Sequence, residues 1–181
     1  MMQKMGPKKG YWIFLGMMGA GKTTLGQTVA VITKKLFLDT DFLIEKKNSS
    51  TVLEIFQEKG EPFFRAEERA LLKNLQVEEG ILSTGGGLVT EKENWKEIRR
   101  LGVSIFLDID PLILKKRLEE SGSQRPFMQD KNWKKQFDKL YQMRRPYYLQ
   151  SDVIIQLTDA PIEKNAYSIV EFMNQQRYES V

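Results

Sequence analysis

The segment Gly16-Met-Met-Gly-Ala-Gly-Lys-Thr constrains this chain most, because it is a complete G-x-x-x-x-G-K-[ST] phosphate-binding loop. It follows the apolar run Tyr11–Leu15, which is typical of a buried strand, and precedes apolar residues at helical spacing. Glycines let successive backbone N–H groups turn toward phosphate oxygens, and the following helix adds its positive end. A glycine-rich turn that spells the motif by chance is a poor alternative in this context. The residues expected to bind the nucleotide are Gly19, Ala20, Gly21, Lys22, Thr23 and Thr24.

Two side chains of this loop have separate expected roles. The Lys22 ammonium can reach the β- and γ-phosphates, and the Thr23 hydroxyl can ligate Mg²⁺. The motif by itself leaves open which nucleotide binds and whether the phosphoryl acceptor is water or a metabolite.

Apolar runs alternate with helical patterns along the whole chain, and most of these runs are continuous rather than alternating. This arrangement predicts an α/β fold with a parallel sheet covered by helices on both faces. We find no internal repeat or linker, so residues 1–181 are expected to form a single domain. The predicted strands are 11–15, 35–39, 80–84, 103–108 and 152–157. The predicted helices are 21–35, 42–47, 52–59, 61–79, 90–100, one that starts near 111, 132–149 and 162–177, and residues 121–130 are predicted to form a mobile loop.

Composition narrows the chemistry. The chain has no cysteine and no histidine, which excludes a disulfide framework and a zinc–thiolate site. Any general base must then be a carboxylate or a lysine, and any metal ligand an oxygen. The net charge is +4, but lysines and arginines are interspersed with acids, as on solvated helix surfaces, so we expect no nucleic-acid partner. No apolar stretch is long enough for a membrane span or a signal peptide, so we expect a cytoplasmic protein.

Several polar residues stand where ligands bind in α/β proteins. Asp39 and Asp41 flank a threonine at the end of a predicted strand, which points toward the carboxyl edge of the sheet. An alternative for Asp41 is a helix N-cap before Phe42. Arg65 can be read as half of an exposed i, i+3 pair with Glu68. The run Gly85-Gly86-Gly87 allows close approach of a ligand to the backbone, or is only a flexible turn.

Taken together, these segments resemble the shikimate kinase family. The resemblance rests on six motifs that occur in order over nearly the whole chain. They are the phosphate-binding loop, Asp39-Thr40-Asp41, Phe64-Arg65 with Glu68 close behind, Thr84-Gly85-Gly86-Gly87, Arg125-Pro126, and Arg144-x-Pro146-x-Tyr148.

The resemblance implies a P-loop fold like that of the nucleoside-monophosphate kinases, with a five-stranded parallel sheet, a mobile lid at about 121–131 and a substrate-binding helical region at about 42–79. It implies transfer of the γ-phosphate of ATP to the 3-hydroxyl of shikimate, with Mg²⁺ as cofactor. The implied catalytic residues are Lys22, Asp41 and Arg125; Arg117 and Arg125 join the loop in binding ATP; Asp41, Arg65, Gly86, Gly87 and Arg144 bind shikimate; and Thr23 and Asp39 lie at the metal.

Other interpretations remain at this level. A gluconate kinase of similar fold could use the same two arginines, Arg65 and Arg144, for another carboxylate. A nucleotide-binding regulator without turnover is disfavoured because Lys22, Thr23 and Asp41 occur together with Arg125. A nucleic-acid-binding ATPase would need a basic stripe with aromatic platforms, which the sequence lacks.

The chain is expected to be a monomer, because no helix has an apolar face left over after core packing. The segment Thr158-Asp-Ala-Pro is expected to border the adenine.

Overall fold

The computed structural model of the protein describes residues 10–121 and 130–178. Within these residues, five parallel strands form one sheet in the order β2-β3-β1-β4-β5. Trp12 of the first strand lies between Ile81 and Val103, which fixes the register of the three central strands. The predicted parallel α/β sheet is therefore confirmed. The strands are β1 Tyr11–Leu15, β2 Leu36–Asp39, β3 Gly80–Ser83, β4 Gly102–Asp108 and β5 Val153–Gln156.

Helices connect and cover the strands, as the apolar spacing predicts. Two of them begin with strong caps: Thr51 and Glu54 form a reciprocal capping box, and Asp110 caps a helix whose first residue is Pro111. The helices are α1 Lys22–Thr33, α2 Thr40–Asn48, α3 Val52–Glu58, α4 Gly60–Asn74, α5 Asn94–Leu101, α6 Pro111–Glu120, α7 Trp133–Tyr148 and α8 Ile162–Tyr178.

Two predicted helix bounds are wrong. The helix predicted over 61–79 ends at Asn74. There the Arg100 guanidinium donates hydrogen bonds to the carbonyl oxygens of Leu72 and Leu75, which satisfies carbonyls at the end of the helix. The helix predicted over 90–100 begins later, because a 3₁₀ turn at Leu88–Thr90 comes first and α5 starts only at Asn94.

Two hydrophobic clusters hold the fold together. The larger one is built on the sheet, where β1, β3 and β4 are buried along their whole length. The smaller cluster consists of Ile44, Ile55 and Phe64, one residue from each of α2, α3 and α4. The helical region that precedes β3 thus packs around a core of its own.

The strand order brings the carboxyl ends of β1, β2 and β3 to one edge of the sheet, next to the start of α1. The chain leaves β1 between β3 and β4, and in open α/β sheets ligands bind where the strand order reverses in this way. None of the described helices combines the length and the apolar character that a bilayer crossing requires.

Candidate active site

The loop between β1 and α1 wraps in the way that the motif predicts. Gly19 and Gly21 have φ angles of 82° and 76°, in the left-handed region that glycine tolerates best. A Cβ on Gly19 would also stand 3.3 Å from the carbonyl oxygen of Leu114, so close packing is a second reason for glycine at this position. Gly21 is the N-cap of α1, and the positive end of that helix therefore opens at the sheet edge.

A cleft of about 310 Å³ lies at this edge. It brings together most of the residues predicted to bind the nucleotide and the metal. Ala20 and Thr24 do not line it: the Ala20 N–H donates to Met17 O at 3.2 Å, and Thr24 lies on the exposed side of α1. The cleft is lined by Met18, Gly19, Gly21, Lys22, Thr23, Asp39, Asp41, Thr84, Gly86, Arg117, Leu118 and Ser121.

Lys22 stands at the base of the cleft with only 9% of its surface exposed. Its Nζ donates to the carbonyl oxygens of Gly16 at 2.9 Å and Met17 at 3.0 Å. These bonds offset the cost of burying an ammonium group. The arrangement holds a positive charge beneath the loop, where phosphate oxygens would be attracted.

Asp39 links the loop to α2. Its Oδ2 accepts a hydrogen bond from Thr23 Oγ1 at 2.8 Å, and its Oδ1 accepts from the backbone N–H groups of Asp41 at 3.0 Å and Phe42 at 3.3 Å. Asp39 is therefore the N-cap of α2. The alternative that Asp41 is the cap is wrong, because Asp41 lies inside the first turn of the helix and keeps its side chain at the cleft.

The Thr23–Asp39 pair fits a Mg²⁺ ion that is bound together with a nucleotide. The hydroxyl and the carboxylate oxygen already lie 2.8 Å apart at the mouth of the loop, and both are hard oxygen ligands. The described residues contain no cluster of three or more acidic ligands that could form a cage. Mg²⁺ in kinases typically uses one or two protein oxygens and takes the rest from phosphates and water.

Asp41 and Glu68 approach each other across Gly85. A Cβ on Gly85 would stand 2.6 Å from Asp41 Oδ1 and 2.8 Å from Glu68 Oε1, so any larger residue there would displace both carboxylates. The N–H of Gly85 donates to Thr40 Oγ1 at 3.0 Å, which ties the glycine run to α2. Two carboxylates thus lie close together where β2 and β3 end, and Asp41 of this pair lines the cleft.

Arg65 faces these acids from α4, and its side chain is only 11% exposed. Its Nη1 pairs with Glu68 Oε2 at 2.6 Å and its Nη2 with Glu61 Oε1 at 2.7 Å. Burial by itself lowers the pKa of Arg65, but the carboxylates of Glu68 and Glu61 outweigh it and raise the pKa overall. The alternative of an exposed surface pair for Arg65 and Glu68 is wrong, since Glu68 has no exposed surface.

The predicted shikimate-binding glycines stand beside two guanidinium groups. A Cβ on Gly87 would lie 2.6 Å from Arg65 Cζ, and a Cβ on Gly86 would lie 3.5 Å from Arg144 Nη1. Arg144 reaches the glycine run from α7. Burial lowers the pKa of Arg144, and the nearby charge of Arg65 acts in the same direction. Two cations therefore flank consecutive glycines.

Arg144 differs from Arg65 in its partners. Among residues 10–121 and 130–178, no carboxylate lies within 4 Å of the Arg144 guanidinium, whereas Arg65 has two. The Glu61 charge acts on Arg144 but forms no ion pair with it. An arginine that is shielded from water and forms no ion pair favours the binding of an anion. A planar carboxylate matches the guanidinium fork best.

Arg117 of α6 lies on the other side of the cleft. Its Nη2 donates to the carbonyl oxygen of Thr158 at 3.3 Å and pairs with Asp159 Oδ1 at 3.2 Å. The structure thus brings Arg117 together with the loop after β5 that was expected to border the adenine. Arg125, expected at the phosphates, lies outside the described residues.

Sequence reasoning missed three residues of this site: Thr40, Glu68 as a buried group, and Tyr148. Thr40 holds Gly85, and Tyr148 donates its hydroxyl hydrogen to Gly86 O. All three lie within the motifs quoted from the sequence. The partners of Thr40 and Tyr148, however, are 45 and 62 residues away along the chain. The available signal was the i, i+3 spacing of Arg65 and Glu68.

Comparisons with known proteins agree with this geometry. A family model described as "Shikimate kinase" matches residues 18–174. A shikimate kinase of Prochlorococcus marinus is 37% identical over 163 residues, which are 89% of this chain and 82% of that protein. The solved structure of a shikimate kinase from Acinetobacter baumannii in complex with shikimate has a TM-score of 0.85 at 28% identity, covering 93% of this chain and 94% of that one.

A gluconokinase from Sinorhizobium meliloti has a TM-score of 0.55 at 14% identity, over 96% of this chain and 98% of the other. At that identity the likeness shows the common fold alone. The family model, by contrast, spans all the described motifs except the first residues of the phosphate-binding loop. The chain belongs to the shikimate kinase family, whose members are ATP-dependent kinases of the P-loop fold.

Proposed function

We propose that this chain transfers the γ-phosphate of ATP to the 3-hydroxyl of shikimate, giving shikimate 3-phosphate and ADP. The observation that carries the proposal is the pair of guanidinium groups at the glycine run, Arg144 beside Gly86 and Arg65 beside Gly87. Arg65 is already paired with acids, and Arg144 is not, within the part of the chain that the structure describes. One ligand carboxylate between them would supply the missing negative charge.

The reacting groups in this proposal line the same cleft as Gly86. The Asp41 carboxylate orients the acceptor hydroxyl and accepts its proton, while Lys22 and the start of α1 hold the β- and γ-phosphates. The fact that Asp41 and Lys22 line the same cleft supports these roles. Phosphoryl transfer depends mainly on positioning and on stabilising charge, so an ordinary carboxylate is sufficient.

Mg²⁺ is part of the proposal. When bound, it neutralises charge on the β- and γ-phosphate oxygens. Thr23 Oγ1 and the Asp39 carboxylate would hold it, directly or through water. Arg117 and the loop at Thr158 would flank the adenine. The role expected for Arg125, which is to stabilise charge in the transition state from the lid at about 121–131, stays a prediction.

The proposal covers the whole molecule as well. We propose that residues 1–181 form a single kinase domain, in which α2, α3 and α4 make the substrate-binding helical region, and that it works as a monomer. The support for a single domain is that strands drawn from residues 11 to 156 form one sheet. The requirement for ATP as co-substrate supports a cytoplasmic location.

The test is a coupled assay of ADP release with Mg·ATP and shikimate, gluconate or no acceptor. We expect turnover only with shikimate. In Asp41→Asn we expect kcat to fall by about 10²-fold or more, because the hydroxyl loses its general base. In Arg144→Met we expect KM for shikimate to rise by about 30-fold or more, because a charge-assisted bidentate contact is lost.

Arg145→Met is the matched control, since it removes the same side chain from the next position of α7. Arg145 pairs with Asp108 instead of facing the glycine run. We expect its KM for shikimate to stay within about threefold of the original value. Turnover with gluconate, or equal effects of the two arginine variants, would contradict the proposal.

A further inference from the structure

Tyr148, the last residue of α7, joins three parts of the site. Its ring is stacked on Phe106 of β4, with ring centroids 5.0 Å apart, and only 1% of its surface is exposed. Its hydroxyl donates to Gly86 O, and Met17 Sδ of the phosphate-binding loop lies 4.0 Å from the same oxygen. A buried hydroxyl is costly unless it is hydrogen-bonded, so this group is held in one orientation.

The bond to Gly86 gives the middle carbonyl of the glycine run its hydrogen-bond donor. The carbonyl of Gly85 accepts from Leu88 N at 3.3 Å and that of Gly87 from Thr90 N at 3.1 Å, both within the local turn. The carbonyl between them is held from a distance, by Tyr148. Because a trans peptide is planar, fixing the Gly86 carbonyl also fixes the N–H of Gly87 on the opposite side.

The same phenol contacts Arg144, which lies one helical turn earlier on α7. The two groups stand at i, i+4 on this helix and interact by charge. Burial raises the pKa of Tyr148 to about 12, although the Arg144 guanidinium acts in the opposite direction. The phenol therefore stays neutral at physiological pH.

Neutrality matters for the anion site. A carboxylate at this position would hold the Arg144 guanidinium but would also neutralise it, and so compete with the carboxylate of a ligand. A neutral phenol orients the guanidinium and leaves its positive charge available. The Tyr148 hydroxyl thus has two roles. It donates a hydrogen bond to Gly86 O, and it lies beside the Arg144 guanidinium without neutralising its charge.

We propose that Tyr148 is a positioning residue for the anionic end of the acceptor, holding both Arg144 and the Gly86–Gly87 peptide in the geometry that binds a carboxylate. This inference rests on the proposed function, in which Arg144 and the glycines bind shikimate. Tyr148 acts through these groups and touches no reacting atom.

The test begins with Tyr148→Phe, which keeps the ring and its stack on Phe106. We expect KM for shikimate to rise about tenfold, as for the loss of one hydrogen bond that orients a charged group. We expect kcat and KM for ATP to stay within about threefold. Tyr141→Phe is the matched control: it removes a hydroxyl from the same helix that contacts Arg145 and Asp108 instead of the glycine run.

A second measurement separates positioning from general structural support. In a double-mutant cycle with Arg144→Met, adding Tyr148→Phe should raise KM for shikimate by clearly less than the tenfold expected in the unaltered protein, because one of the two groups through which the phenol acts is already gone. Independent effects of the two changes would overturn the inference. So would equal KM values for Tyr148→Phe and Tyr141→Phe, or a Tyr148→Phe protein without a cooperative thermal transition, which would assign the hydroxyl a purely structural role. If the unaltered protein does not phosphorylate shikimate, the proposed function fails instead.

Discussion

At the scale of single residues, burial strongly perturbs the carboxyl group of Glu68. Burial raises its pKa to about 7, although the Arg65 guanidinium acts in the opposite direction. The pKa of Arg65 is also raised. Burial and pairing therefore affect the two partners differently. The raised pKa of Arg65 favours its charged form, whereas the raised pKa of Glu68 disfavours its charged form.

This cost predicts a pH dependence of stability. Below pH 4.5, the ordinary pKa, Glu68 is neutral in both the folded and the unfolded state. Between pH 4.5 and about 7 the unfolded chain releases the proton that the folded chain retains, so the free energy of unfolding falls as pH rises. The fall is at most about 1.4 kcal/mol per pH unit. Above pH 7 the contribution of Glu68 no longer changes.

Urea unfolding of Glu68→Gln at pH 5 and pH 8 measures this effect. We expect the free energy of unfolding of the variant, relative to the unaltered protein, to improve by about 2 kcal/mol between the two pH values. Glu67→Gln is the control, since a hydrogen bond from Lys47 lowers the pKa of Glu67. Its effect should be nearly the same at pH 5 and pH 8. A pH-independent effect of Glu68→Gln would contradict the prediction.

The sequence predicted which side chains lie at the cleft better than it predicted how deeply they are buried. The predictions for Lys22, Thr23, Asp39 and Asp41 agree with a shared cleft, because a strand, a tight loop and a helix fix their directions locally. The burial of Glu68 could not be predicted, because it depends on Gly85, a residue of the next strand's loop. Spacing along a helix indicates which residues are neighbours but not how deeply they lie.

At the scale of elements, the end of α4 depends on a residue of α5. Arg100 Nη2 donates to the carbonyl oxygens of Leu72 at 2.8 Å and Leu75 at 3.1 Å. These carbonyls have no intrahelical partner at a helix terminus, and a guanidinium can satisfy them. The contact fixes the end of the helix that carries Arg65 and Glu68.

We expect Arg100→Gln to lower the free energy of unfolding by about 1 kcal/mol, because the last carbonyls of α4 lose a charged donor. Arg99→Gln is the control at the neighbouring position. The Arg99 guanidinium lies over the Trp95 ring, 5.8 Å from its centroid, and should contribute less than about 0.5 kcal/mol. Chemical denaturation of both variants measures the difference, and equal losses would contradict the role of Arg100.

The strands were predicted to within about one residue, because continuous apolar runs ended by glycine or aspartate mark them clearly. The end of α4 was predicted five residues too late, since Leu75 and Val77 continue the apolar pattern beyond Asn74. The donor that ends the helix lies more than twenty residues further along the chain. The local apolar pattern of a sequence does not predict such a long-range hydrogen bond.

At the scale of the whole molecule, stability is unevenly distributed. The large cluster includes the fully buried strands β1 and β4, whereas the region of α2, α3 and α4 is built on Ile44, Ile55 and Phe64. A region with few buried apolar contacts opens more readily than the rest. The order of the strands was likewise beyond the sequence, because it is set by pairings between remote segments such as β1 with β4.

Hydrogen exchange measures this distribution. We expect amides of α2 and α3 to exchange faster than those of β1 and β4. Ile55→Ala should accelerate exchange in α2 and α3 and leave β1 and β4 nearly unchanged, because the cavity lies in the small cluster. Leu25→Ala, in the large cluster, should accelerate exchange throughout. Uniform acceleration by Ile55→Ala would show that the two clusters open together.

Gly87 has a backbone conformation, with φ of −94° and ψ of −10°, that any residue can adopt. The three atoms nearest to a Cβ at this position all belong to the Arg65 guanidinium, which fills that space. In evolutionary terms, substitutions at positions 65 and 87 are therefore expected to depend on each other. A lineage that keeps the arginine can change the glycine only by moving that guanidinium away from Glu61 and Glu68, and one that shortens residue 65 removes this obstacle at position 87.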